Sequence, residues 1–186
     1  MRVLRLGLAL AVLGGGPAIE AAAAPAAPIE TGVGPVTKLP LPRYASLKTD
    51  RVNLREGPSK DHRTLWVFQR AGLPVEIVGE FETWRRIRDS EGTEGWVLHS
   101  LLSGRRTAIV NAGPDKGIEK AAISLRAKAD DGADDEAKLQ TGVIGSVKSC
   151  TGTWCRLIVA LPNKHDVDGY IRQNRLWGVY PNEVVD

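Results

Sequence analysis

Apolar and polar residues alternate in short runs along this chain, and no segment sustains the three-to-four spacing of an amphipathic helix. Leu65-Trp66-Val67-Phe68 is an apolar run closed by a Gly72-Leu73-Pro74 turn. Val75, Ile77 and Gly79 then alternate with Glu76, Val78 and Glu80, which predicts a strand with one face buried. Trp84 to Arg88 reads as the next strand, Asp89 to Gly92 as a turn, and Gly95 to Leu98 as a further strand. Leu101-Leu102 suits a single 3₁₀ turn ahead of a last strand near Thr107 to Val110. Beyond it, Val143 to Ser149 and Trp154 to Leu161 repeat the strand pattern, Ala127 to Asp135 is a polar loop, and Pro162 to Asp166 makes a long turn.

The two halves are copies of one unit, about seventy residues apart. Val52-Asn53-Leu54-Arg55, Gly72-Leu73-Pro74-Val75, Trp84-Arg85-Arg86-Ile87 and Gly95-Trp96-Val97 mark the first. Ile123-Ser124-Leu125-Arg126, Gly142-Val143-Ile144, Trp154-Cys155-Arg156-Leu157 and Gly169-Tyr170-Ile171 mark the second. Insertions fall in loops. Several short strands within some sixty residues predict a small, strongly bent barrel, so the expected class is all-β with two barrels in tandem.

The ends of the chain change this picture in one respect. Arg2 and Arg5, the apolar Leu6 to Leu13 and the small residues Ala21 to Ala24 read as an export signal over residues 1–23, cut near Ala22 or Ala23. The apolar stretch falls short of the roughly 20 residues a membrane span needs, so the expected location is the periplasm, with no span in the mature chain. Residues 24–43, with five prolines and many alanines, read as a flexible leader. Residues 44–110 make the first expected barrel and 121–186 the second, with 111–120, rich in Gly, Pro and Asn, as the linker. The formal charge is only +3, and Arg2, Arg5 and Glu20 leave with the signal. So balanced a chain lacks the electrostatic footprint of a nucleic-acid binder. The acidic run Asp130, Asp131, Asp134, Asp135 and Glu136 is expected to be solvated.

Val52 to Ser59, followed at barrel spacing by Trp84 and by Gly95-Trp96-Val97, resembles the bacterial SH3-like domain. Arg70 to Val75, Ser103 to Thr107, Trp154-Cys155-Arg156 and Leu176 to Tyr180 extend the likeness to exported tandem SH3-like proteins of Gram-negative, largely alphaproteobacterial, bacteria. The resemblance covers about Tyr44 to Glu183 and implies the fold and a wall-targeting role, without implying a reaction. The second copy departs from the pattern at Ala127-Lys128-Ala129, where the first has Glu56-Gly57-Pro58.

Both cysteines lie in Cys150-Thr151-Gly152-Thr153-Trp154-Cys155. In an exported chain this pair predicts a disulfide across a tight hairpin. The repeat places Glu80 and Arg85 at the corresponding positions, so an exposed ion pair is expected where the other copy has a covalent clamp. A redox role does not suit the spacing, and two thiols with His165 nearby do not complete a zinc site. Neither a metal nor a cofactor is expected. His62, His99 and His165 share no spacing with a free nucleophile, which speaks against a Cys–His hydrolase.

Aromatic rings remain as recognition candidates, because a large ring supplies contact area at little entropic cost. Trp84 and Trp154 fall at hairpin turns and are expected to be half-exposed; Trp66, Tyr44 and Trp177 join them, whereas Trp96 and Tyr170 are expected in the core. Arg55 and Arg86 are the cations that would meet a ligand carboxylate. The expected function is therefore non-catalytic recognition of peptidoglycan or of a peptide segment in the cell envelope, through a groove that includes Trp84 and Trp66. An envelope assembly factor without glycan affinity is the alternative, and a wall hydrolase is a remote third.

Overall fold

The computed structural model describes residues 32–111, 122–161 and 165–186. The expected export signal therefore lies outside the described residues. Among the described residues, seventeen strands and two single 3₁₀ turns, His99–Leu101 and Gln173–Arg175, make up the regular structure. The fold is all-β, as the alternation implied.

The first barrel contains β3 (Arg43–Leu47), β4 (Val52–Arg55), β5 (Thr64–Phe68), β6 (Pro74–Phe81), β7 (Trp84–Arg88), β8 (Glu94–Leu98) and β9 (Leu102–Ser103). They are hydrogen-bonded in the order β5-β4-β8-β7-β6-β3-β9. Ahead of them, β1 (Gly32–Val33) and β2 (Pro40–Leu41) form a small antiparallel hairpin. The second barrel contains β10 (Thr107–Val110), β11 (Ile123–Arg126), β12 (Asp135–Leu139), β13 (Ile144–Thr151), β14 (Trp154–Val159), β15 (Val167–Arg172) and β16 (Leu176–Trp177). Its order is β12-β11-β15-β14-β13-β10-β16, and β17 (Val184–Val185) adds to the free side of β13.

The expected boundary between the barrels needs correction. The strand Thr107–Val110 does not close the first barrel: it opens the second. Ala108 sits opposite Gly145 on β13, as Ala45 sits opposite Val75 on β6. Ala108 and Val110 are fully buried in the second core, with Leu125, Leu157 and Ile171. Residues 111–120 consequently join two strands of one barrel, and the chain crosses between barrels at Gly104 to Arg106.

The leader needs correction too. Leu41 is buried in the first core beside Ala45 and Ile77, and the turn between β1 and β2 caps a buried carboxylate. Val36 N–H and Thr37 N–H donate to Glu80 Oε2 at 3.0 and 2.8 Å, and the Thr37 hydroxyl donates to Oε1 at 2.6 Å. Arg43 adds an ion pair at 2.7 Å. A buried carboxylate must find such partners or lose its charge, and this requirement orders residues 32–41.

Repeat symmetry persists down to single atoms. Cys150 pairs with Cys155, and Glu80 with Arg85, at the same register of the long hairpin. The cysteines are joined as a disulfide. The Glu80–Arg85 pair spans 3.6 Å, but it is buried, where an exposed pair was expected. A Cβ on Gly95 would lie 2.6 Å from Leu54 Cγ and 2.8 Å from Arg55 O; one on Gly169 would lie 2.7 Å from Leu125 Cγ and 2.8 Å from Arg126 O. These two glycines let β8 approach β4, and β15 approach β11, closely.

β6 is buried on both faces from Pro74 to Glu80, whereas alternation implied one. The leader turn covers Glu80, and the second barrel covers Glu76. Tyr180 Oη donates to Glu76 Oε1 at 2.9 Å, and Arg88 Nε donates to Glu76 Oε2 at 3.0 Å. Tyr44 meets Tyr180 at 4.6 Å between ring centroids and Trp177 at 5.2 Å, edge-on. Burial, with Glu76 next in weight, pushes the Tyr44 hydroxyl up to about 12, and the same two causes raise Tyr180. The barrels thus share a polar and aromatic seam.

Candidate functional site

Ladder pairing places Trp84 opposite Leu98, Arg86 opposite Trp96, and Arg55 opposite Trp96, so these residues share one face of the first barrel. Trp96 is accordingly half-buried on this outer face, with Gly95 and Val97 turned to the core; Tyr170 occupies the same place on β15. Both were expected in the core, and the parity of their strands explains the difference.

A groove of about 270 Å³ runs across this face, lined by Arg51, Asn53, Arg55, Lys60, Trp84, Leu98 and Leu101. Trp84 forms its floor and is 7% exposed, more enclosed than a hairpin turn implied. Leu98 and Leu101 make an apolar wall, and three cations stand on the rim. Arg55 Nη1 donates to Lys60 O at 2.9 Å and His62 O at 2.7 Å, which holds the 56–63 loop beside the groove. The His62 ring lies against Gly57, where a Cβ would come within 2.4 Å of Nε2. That close approach explains Gly57 in the loop.

The second barrel closes the equivalent place with its own side chains. Arg172 stands where the first barrel has Leu98, and its guanidinium lies 4.3 Å from the Trp154 ring centroid. Asp131, in the loop position of Lys60, accepts hydrogen bonds from Arg172 Nε and Nη2. Arg126, the counterpart of Arg55, donates to Ala133 O at 2.9 Å and is also paired with Asp135 at 2.9 Å. The matching ladder partner of Arg55 is the uncharged Thr64. Among the described residues, Arg51, Arg55 and Lys60 form no ion pair, while Arg126 and Arg172 of the second copy are matched by Asp135 and Asp131. The Arg172 guanidinium and hydrogen bond hold the Asp131 carboxyl below its usual range. The acidic run, read as solvated, supplies this closure.

The remaining expected residues lie elsewhere. Trp66 is 59% exposed on the edge strand β5, opposite the inward-facing Leu54, and does not line the groove. Arg86 is on the correct face but is paired with Glu94. Tyr44 and Trp177 come together at the seam between barrels, away from Trp84. The rim residues Arg51 and Lys60 were missed by the sequence reading; their signal was the contrast with Ala122 and Asp131 in the second copy. Among the described residues, no group of three His, Cys, Asp or Glu side chains gathers as a metal site.

Two small bent barrels in tandem, built from strands in the same order, define a fold of the SH3 type. The family model for the bacterial SH3 domain matches residues 48–104 and 119–178, and the chain belongs to that family. Two solved structures from Trichomonas vaginalis, NlpC2 and NlpC1, are similar over 73% and 77% of this chain, at 11% and 10% identity and a TM-score of 0.32 each. The matched region spans 48% of each of those chains, about half their length. No curated protein matches the sequence.

Proposed function

We propose that this protein is a non-catalytic recognition module of the cell envelope, and that its first barrel binds an extended, carboxylate-bearing peptide such as the stem peptide of peptidoglycan. One contrast carries the reading. The first barrel presents an apolar floor of Trp84, Leu98 and Leu101 beneath three unpaired cations, whereas the second barrel neutralises and covers the same place. Carboxylates would meet Arg51, Arg55 and Lys60, and the peptide's aliphatic parts would lie along Trp84. The bacterial SH3 family and the export-signal pattern agree with a wall polymer as the source of such a ligand.

Co-sedimentation with isolated sacculi tests this. The intact protein is expected to pellet, and Arg51→Glu with Lys60→Glu is expected to lower the affinity at least tenfold without loss of fold. Pelleting that is indifferent to this charge reversal would refute the groove as the site. A second reading rests on β5, where Leu65 and Trp66 are exposed on an edge strand free of charged residues. Such an edge suits pairing with a strand of another envelope protein. A crosslinked partner lost with Trp66→Ser, in a protein that ignores sacculi, would favour it.

A further inference from the structure

The seam between the barrels carries a second groove, chemically unlike the first. About 560 Å³ in volume, it is lined by Tyr44 from the first barrel and by Thr153, Asn174, Trp177, Pro181 and Asn182 from the second, among others. Its aromatic base is held rigid. Trp177 is braced edge-on against Tyr44, with interplanar angle 80°, and Tyr44 packs on Tyr180. Gly178, at φ +117°, turns the chain directly after Trp177; a Cβ there would lie 2.5 Å from Thr107 O. Only glycine permits this close crossing of β10, so the pose of Trp177 is built into the backbone. Gln173, buried below, ties the segment together by donating from Nε2 to Tyr180 O at 2.7 Å and Glu183 O at 3.0 Å.

Above this base stand polar groups without partners. Thr153, Asn174 and Asn182 are exposed, and among the described residues their side chains make no hydrogen bond to the chain. Arg172 is the one charged lining residue, and it is already stacked on Trp154 and matched by Asp131. The groove therefore offers a half-exposed indole, two carboxamides and a hydroxyl, with no free charge.

We infer that this groove binds a neutral oligosaccharide of two or three rings. A pyranose has an apolar C–H face that stacks on an aromatic ring, and its edge presents adjacent hydroxyls that a carboxamide meets with one donor and one acceptor. The volume lies within the range of sites that enclose small ligands. An anionic ligand would find no free cation here. A proline-rich peptide would use the rings but leave the two carboxamides without donors to accept from, and so fits the lining less well. The site is independent of the basic groove and does not require that reading.

The test is titration of the intact, oxidised protein with N-acetylchitotriose, followed by tryptophan fluorescence and by the side-chain amide signals of Asn174 and Asn182 in NMR. Saturable binding that shifts those amides is expected, with affinity unchanged within twofold between low salt and 0.5 M NaCl, the latter about the insensitivity a neutral ligand should show. Trp177→Ala is expected to weaken binding at least tenfold. Asn174→Ala with Asn182→Gly, both exposed, is expected to weaken it at least threefold while unfolding is unchanged; glycine accepts the φ of 60° at position 182. No shift at millimolar saccharide would overturn the inference. So would binding that is insensitive to the double variant, or displacement only by a proline-rich peptide.

Discussion

Replacing Glu80 by Gln removes one charge from the best-enclosed carboxylate in the first barrel. Burial would push this carboxyl up, but hydrogen bonds from the Thr37 hydroxyl and N–H, then from Arg43 and from Val36 N–H, outweigh it and hold the group at about 2 against an ordinary 4.5. Arg85 contributes less: it lies at 3.6 Å, and burial drives its own affinity for the proton down. The depressed value in the folded state means that the native protein holds fewer protons than the unfolded chain. Stability from Glu80 is therefore fully present above about pH 5 and is lost as pH falls towards 2. The difference corresponds to about 3 kcal/mol at pH 7 and about 1 kcal/mol at pH 3. That agrees in size with the loss of about 3–5 kcal/mol on breaking a buried ion pair. Urea unfolding of the native and Glu80→Gln proteins, followed by tryptophan fluorescence at pH 7, 5 and 3, measures it. The gap between the two is expected to shrink by about 2 kcal/mol from pH 7 to pH 3. Parallel loss of stability in both proteins across that range would refute the reasoning, and with it the claim that this carboxylate orders the leader.

Other expectations follow from the same geometry. Cys150→Ser with Cys155→Ser should lower stability by about 2 kcal/mol, the chain-entropy value for so short a loop, and reductant should reproduce it in the native protein; an unchanged urea midpoint would contradict this. Gly95→Ala should cost about 1–3 kcal/mol, because the new methyl meets Leu54 and the Arg55 carbonyl, and a neutral effect in the same assay would deny the close approach. Tyr180→Phe should cost about 1 kcal/mol by removing the bond to Glu76 across the seam, and NMR relaxation should then show the barrels less tightly coupled.

Much of the fold was legible because it is written twice. Hairpin spacing set Cys150 against Cys155, the repeat carried that register to Glu80 and Arg85, and the hairpins hold both pairs. Three features escaped for physical reasons. Strand alternation on β6 marked Glu76 and Glu80 as outward or polar, yet a second barrel and a leader turn cover them; neither neighbour leaves a trace in local periodicity. Residues 111–117 look like a linker because they are turn formers, but the strands before and after them, β10 and β11, belong to one sheet. Pro and Gly in residues 32–41 suggest a flexible chain, whereas a single buried carboxylate is enough to order them. At the site, Trp84 and Arg55 were evident as aromatic and cation. That the groove stays open could be read only from paired changes at Lys60 and Asp131, and at Leu98 and Arg172, whose meaning depends on knowing that they meet.

Recognition by this protein turns on whether the open basic groove of the first barrel is what binds. The most direct measurement carries the second barrel's closure into the first: Lys60→Asp, Thr64→Asp and Leu98→Arg together, assayed by co-sedimentation with sacculi beside the unchanged protein. With the fold intact by circular dichroism, the triple variant is expected to lose binding at least tenfold, as an arginine settles over Trp84 and the rim is neutralised. Undiminished pelleting of that variant would contradict the account.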